Sequence, residues 1–221
     1  RYLGNAAVRA RARALAPMVL RLGGTSEDMS QFAGGVQLPT LPGVPSGCNQ
    51  SAAGLAALSS FANATGIKVI FGLNSLLRKG AEPTGAWASS NAAALMRADA
   101  TRSRSGLPHM FAFELGNEPH LWQIAGYGRN ISAAAHAADW KQLRTLVASE
   151  YGSISPSPRL VGPDVWVPCL VHGEPGGPVR PGSPPVCDVS YLRQFFAAQP
   201  DLDIITFHLV RYYAHCRSQC L

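Results

Sequence analysis

The residues in this chain best placed to do chemistry are Asn117 and Glu118, at the end of Phe111-Ala112-Phe113-Glu114-Leu115-Gly116-Asn117-Glu118-Pro119. An apolar, aromatic run that reads as a strand ends abruptly in Asn-Glu-Pro, and proline, with no N–H to donate, stops the pairing. That sets a carboxylate and an amide at the mouth of a buried sheet. If strand residues alternate sides, Ala112, Glu114, Gly116 and Glu118 share one face. Two carboxylates there cost free energy unless a cation holds them or chemistry uses them. An ordinary polar turn would give the same three letters, so the rest of the chain must decide.

The elements that position this stretch alternate. Residues 6–15, rich in alanine and arginine, predict a helix that stops before Pro17, and 18–22 a short strand ending at Gly23-Gly24-Thr25. Residues 33–47 carry many Gly and Pro and read as a loop. Helical spacing resumes over 52–64 through Leu55, Leu58 and Phe61, with Gly66 as C-terminal cap. A second strand over 67–73 ends at Asn74. Residues 89–98 read as a helix capped by Ser89 or Ser90, and 110–115 as the third strand. A long helix over 131–149 sets Trp140, Leu143 and Val147 on one side. Residues 159–162 lead a fourth strand into Pro163-Asp164-Val165, 173–186 form a proline-rich excursion, 190–198 a helix and 202–209 a fifth strand.

Strands alternating with helices imply a parallel sheet. Polar residues gathered after the strands' C-terminal ends point to an α/β barrel, whose active site lies on that face. A doubly wound open sheet is the alternative; Leu22-Gly23-Gly24-Thr25 lacks the spacing of a dinucleotide fingerprint, which counts against it. A TIM barrel has eight strands and five are legible. The expectation is therefore a partial barrel domain over residues 1–221, interrupted by a Pro/Gly-rich insertion at 170–188.

Composition allows a sizeable core: 47% of the 221 residues are hydrophobic. The first residue is Arg1 rather than Met, so a fragment or a processed product is expected. No run approaches the ~18 apolar residues of a membrane span. The net charge of +6 draws on Arg1, Arg9, Arg11, Arg13 and Arg21. A solvated basic helix face explains it, and a basic surface favours acidic partners, polysaccharide or nucleic acid. Zinc-ligand spacing, an RNA-binding signature and a phosphate-cradling loop are all missing, which disfavours nucleic acid and leaves no metal or cofactor motif.

Of the five cysteines, Cys169 and Cys187 bracket the Pro/Gly-rich loop, Cys216 and Cys220 lie close enough to pair locally, and Cys48 is odd. Sequons begin at Asn49, Asn63 and Asn130. Together these lean toward a secretory compartment.

The ordered set Leu20-Arg21-Leu22-Gly23-Gly24-Thr25, Ile70-Phe71-Gly72-Leu73-Asn74 with Leu76-Leu77-Arg78, Phe113 to Pro119, Gly162-Pro163-Asp164-Val165 and Thr206-Phe207-His208 resembles the heparanases. Heparanases are retaining endo-β-glucuronidases that cut heparan sulfate, acting in lysosomes and outside cells. The resemblance implies a lysosomal, extracellular or membrane-associated glycosidase that takes an acidic polysaccharide. Retaining hydrolysis uses a carboxylic acid on the leaving oxygen and a second carboxylate about 5–5.5 Å away as nucleophile. By resemblance Glu118 is the acid/base and Asn117 holds the sugar hydroxyl beside the anomeric carbon. Gly24 and Thr25 would line the subsites, with His208 and Tyr212 (or Tyr213) near the reacting sugar. Arg21 and Glu114 would form an inward charged pair supporting the carboxylates, or serve only as satisfied barrel residues.

The departures matter. The family's nucleophile is a glutamate on the seventh barrel strand, beyond Leu221, and neither Asp164 nor Asp203 is a convincing substitute. The first and the last two strands are also missing from these residues, so the polypeptide as given is not expected to hydrolyse glycosides. Trp166-Val167-Pro168-Cys169 stands where animal heparanases have Gln and Arg, and the lysine-rich heparin-binding loop is replaced by the uncharged residues 36–54. Sulfate recognition calls for Lys or Arg forks. A less sulfated β-glucuronide is thus as good an expectation as heparan sulfate, with a non-catalytic, acidic-glycan-binding paralogue as the alternative.

Overall fold

A computed structural model describes residues 2–36, 49–79, 85–123, 127, 131–170, 186–187 and 189–211, of which 168–170, 186–187 and 209–211 are described by their backbone. Among the described residues five strands form the parallel part of a six-stranded sheet: β1 (Val19–Leu22), β2 (Lys68–Leu73), β3 (Ala112–Leu115), β4 (Arg159–Leu170) and β5 (Ile204–Arg211). The helices are α1 (Ala6–Ala14), α2 (Ala52–Thr65), α3 (Ser90–Arg104), α4 (Ala133–Tyr151) and α5 (Ser190–Ala197). The strands pair in chain order and all in parallel, with one of α2 to α5 in each connection. A doubly wound sheet would reverse direction at a switch point; this order is the arc of a (β/α)8 barrel wall.

Local chemistry starts and stops the helices. Asn5 caps α1 through Ala7 and Val8, Ser51 caps α2 through the Gly54 N–H at 3.0 Å, and Ser132 caps α4 through Ala135 at 3.2 Å. Gly66 ends α2 at φ 75, as a left-handed C-cap requires. Ser89 stands at the start of α3 but makes no cap hydrogen bond. Its hydroxyl accepts from Gln142 Nε2 at 2.8 Å instead. The same helix runs six residues past its expected end at 98, to Arg104. There Arg102 and Arg104 reach the carbonyls of Ala56 and Glu150.

The core lies between sheet and helices. All four residues of β3 are buried, and Phe113, Leu115, Trp140, Leu143, Tyr151 and Leu160 are removed from water entirely. Burial of each large apolar side chain contributes about 1.5–3 kcal/mol. Two carboxylates fasten the strands to this layer. Asp99 on α3 accepts from the Met110 N–H at 2.9 Å and from the Tyr151 hydroxyl at 2.8 Å, fixing the entry to β3. Asp203 accepts from the Leu160 N–H at 2.7 Å and meets Arg144, which docks β5 beside β4 and gives that acid a structural role.

β4 is longer than the sequence predicts. It carries a bulge: Pro163 pairs with Thr206 and Val165 with Phe207, leaving Asp164 between them at φ 54. Beyond it, Val186–Cys187 pairs antiparallel with Cys169 and Leu170, so a strand closes the end of the predicted irregular excursion.

Candidate active site

Each side chain of the site comes from a strand end or from a break in regular backbone. Arg21 stands on β1 and Glu114 on β3, with Gly72 of β2 in register beside Glu114. Arg21 Nε donates to Glu114 Oε2 at 2.6 Å, the inward pair expected from sequence. The guanidinium's Nη2 also bonds Asp164 Oδ2. Asp164 Oδ1 in turn lies 2.8 Å from His208 Nε2, and His208 Nδ1 lies 2.7 Å from Glu118 Oε1. Glu114, Arg21, Asp164, His208 and Glu118 therefore form one unbroken charged chain across the sheet's C-terminal edge.

Strand alternation holds for Ala112 and Glu114 and then stops. Gly116 at φ 75 turns the backbone out of β3, and Glu118 itself is left-handed at φ 48 and ψ 50. The shared face expected for Gly116 and Glu118 is replaced by a turn. For a residue with a side chain that conformation is uncommon. The Glu118 N–H donates to the Asp164 carbonyl at 3.0 Å and its carbonyl accepts from Leu121 at 2.8 Å, which hold it there. Its side chain keeps 27% of its surface exposed, against 2% for Asp164 and none for Glu114. Of the linked carboxylates, Glu118 is the one open to a ligand.

Asn117 is held by its backbone: its N–H donates to Asp28 Oδ2 at 2.8 Å and its carbonyl accepts from Trp122 Nε1 at 3.1 Å. Gly24, at φ 86, turns the chain after β1, and Thr25 follows exposed in that turn, outside the charged chain. Tyr212 and Tyr213 lie outside the described residues.

Sequence reasoning missed Glu27 and Asp28 and undervalued Asp164. All three are buried. Glu27 lies over Gly72, where any Cβ would overlap its carboxyl group, and a Cβ on Gly23 would sit 2.6 Å from Glu27 Oε2 and 2.9 Å from Glu114 Oε2. The missing side chains at Gly23 and Gly72 make the room. Two adjacent acids following a strand-ending Gly-Gly-Thr were the available signal.

The cluster holds more carboxylates than cations, and its protons follow. Burial and the Asp164 charge, opposed by Arg21, push Glu114 up to about 8. Burial, with Asp28 and Glu114 beside it, pushes Glu27 well above the usual carboxylate range. Burial lowers the affinity of Arg21 for its proton, and the Glu114 and Asp164 charges more than restore it. Hydrogen bonds to Asp164 and Glu118 hold His208 at about 10, an imidazolium at neutral pH. Among the described residues no group of three or more His, Cys, Asp or Glu is arranged to hold a metal ion.

Comparison with known proteins adds the lineage. The pattern of the glycosyl hydrolase family 79 N-terminal domain matches residues 2–168. Heparanase-like protein 3 of Arabidopsis thaliana is 31% identical over 73% of this chain and 31% of its own length. Mouse heparanase is 33% identical over 72% and 24%, and human inactive heparanase-2 is 32% identical over 46% and 17%. The chain thus spans a third or less of the relatives it matches. Among solved structures, a 4-O-α-L-rhamnosyl-β-D-glucuronidase from Fusarium oxysporum aligns with TM-score 0.43 and 18% identity, over 90% of this chain and 38% of that one. With most of its length matched by that pattern, the chain belongs to glycosyl hydrolase family 79.

Proposed function

We propose that these residues form part of a retaining β-glucuronidase of the heparanase type, acting on heparan sulfate or a related uronic-acid glycan, with Glu118 as acid/base and Asn117 as the partner of the neighbouring sugar hydroxyl. The observation that carries the reading is Glu118 itself. It is the exposed end of a buried charged chain, held in a left-handed turn by the Asp164 carbonyl and by His208. A carboxylate fixed at a strand end in contact with an imidazolium is equipped to move a proton at a glycosidic oxygen.

A retaining mechanism needs a second carboxylate. Asp164 is a poor candidate: both of its oxygens are engaged, by His208 and by Arg21, and its side chain is buried. The family's glutamate on the seventh barrel strand, outside these 221 residues, is the proposed nucleophile. Gly24, Thr25, His208 and Tyr212 remain the proposed subsite residues, and a lysosomal or extracellular location the proposed setting. No helix among the described residues is long and apolar enough to cross a membrane.

The test is hydrolysis of chromogenic and polymeric β-glucuronides at acidic pH by the protein extended through its remaining barrel strands. Glu118→Gln is expected to lose about 10²–10⁴-fold in kcat on substrates with poor leaving groups. A Glu118→Gln protein of full activity would sink the assignment. The net charge of +6 and the inactive human relative favour a second reading, a non-catalytic binder of acidic glycans. It predicts salt-sensitive retention on heparin without turnover; equal elution from a neutral resin counts against it.

A further inference from the structure

Asp28 takes no part in the charged chain, yet its carboxylate is buried and joins the turns after three strands. Oδ1 accepts from the Ser75 N–H at 3.1 Å and the Ser75 hydroxyl at 3.0 Å, in the turn after β2. Oδ2 accepts from the Asn117 N–H at 2.8 Å, in the turn after β3. The Trp122 indole donates to the Asn117 carbonyl at 3.1 Å and lies near enough to this carboxylate to favour its ionised form. A buried carboxylate keeps its charge only where donors replace water, and here they do. Gly116 completes the fit: the Ser75 hydroxyl fills the place its Cβ would take, with Asp28 Oδ1 3.4 Å from that position.

We infer that Asp28 is a positioning residue for Asn117 and Glu118, fixing the peptide plane from which Glu118 is presented and touching neither substrate nor reacting atom. The inference rests on the reading of Glu118 as acid/base. Only the ionised carboxylate accepts from every one of these donors; a proton on either oxygen would face one of them. Burial, opposed by the Asn117 and Ser75 bonds, raises Asp28 to about 6. The other titratable groups facing it are Glu27, its neighbour in the chain, and Tyr127. The clamp is therefore closed above about pH 6 and loosens below it.

Two measurements separate this inference from the reading beneath it. Backbone amide NMR of the strand-complete protein between about pH 4.5 and 8 is expected to show Asn117 and Ser75 shifting together with one midpoint near 6. Asp28→Asn should abolish that titration, and Ser75→Ala, which removes one donor and is a mild change should Asp28→Asn not fold, should move the midpoint upward. Amides that do not titrate in this range, or a midpoint unmoved by Ser75→Ala, overturn the inference whether or not the protein is an enzyme. In β-glucuronide hydrolysis, Asp28→Asn is expected to lower kcat about tenfold to a hundredfold with KM within about threefold, the signature of a misplaced group. An unchanged kcat overturns it. If the unmutated, strand-complete protein hydrolyses no β-glucuronide, the functional reading fails, and the NMR result still decides the clamp.

Discussion

His208 stands between two acids, one in the turn after β3 and one at the bulge of β4, with Nδ1 2.7 Å from Glu118 Oε1 and Nε2 2.8 Å from Asp164 Oδ1. Asp164 can meet it because the bulge in β4 turns that residue out of the ladder; bulges commonly re-aim a side chain beside an active site. The imidazole is held at about 10, with the hydrogen bond to Asp164 as the largest cause and that to Glu118 next. Asp164→Asn should therefore bring His208 down toward its ordinary 6.5, followed by NMR of the ring protons. A ring that still titrates near 10 would mean that Asp164 does not hold the proton.

The same groups set a pH dependence of stability whose sign can be worked out. Glu114 sits at about 8 against an ordinary 4.5, and His208 at about 10 against 6.5. Between pH 6.5 and 8 the folded protein thus binds protons that the unfolded chain has released, so stability falls as pH rises. His208's contribution is fully present below 6.5 and is lost through about 10. Asp28, raised to about 6, acts in the same direction from its ordinary 3.8 upward. His136 opposes it: burial lowers that ring to about 3, so stability rises with pH between about 3 and 6.5. Above about pH 4.5 the losses at Glu114 and Asp28 together outweigh the gain at His136, so the melting temperature should decline from about pH 5 toward pH 9, with a flatter decline in Glu114→Gln. A protein that gains stability from pH 6.5 to 9 contradicts the assignment.

Arg21 is the cation that answers Glu114 and Asp164, with Glu27 4.0 Å away. Removing one partner from a buried ionic cluster costs about 3–5 kcal/mol. A third of the Arg21 side chain meets water, so about 3 kcal/mol or somewhat less is expected for Arg21→Met. Arg21→Lys keeps the charge but cannot fork to two carboxylates, and should recover only part of the loss. Urea unfolding at pH 7 measures both; equal stability of Arg21→Met and the parent would remove the pair from the account of the fold.

What could be read in the sequence was whatever local chemistry determines. The strands and helices followed from periodicity and from the Gly66 cap, and Asn117-Glu118 from an apolar run cut by proline. The Arg21–Glu114 pair was one of two readings that the family resemblance left open, and the structure brings the two side chains together. Asp164 was undervalued because its direction depends on a one-residue bulge, which the letters Gly-Pro-Asp do not disclose. Glu27 and Asp28 were missed for a related reason. Their burial depends on empty space at Gly23, Gly72 and Gly116, supplied by three different strand ends. An acid's environment is legible only when the residues around it are its neighbours in the chain.

Cys169 and Cys187 are such a case at long range, made visible by register. The sequence sets them on either side of the Pro/Gly-rich stretch, and the backbone pairs them directly opposite one another across antiparallel strands. Residues directly opposed across antiparallel strands lie within the range of Cα separations that a disulfide spans. Closing a loop of this length would stabilise the fold by about 3 kcal/mol through the unfolded state, or roughly 6–12 °C in Tm for a chain of this size. A non-reducing digest analysed by mass spectrometry should give one peptide linking the two residues, separated by reductant. Cys169→Ser and Cys187→Ser should lower Tm equally, and the double variant no further than either single one. Free thiols at both positions in protein recovered from an oxidising compartment, or additive losses in the double variant, would exclude the bond.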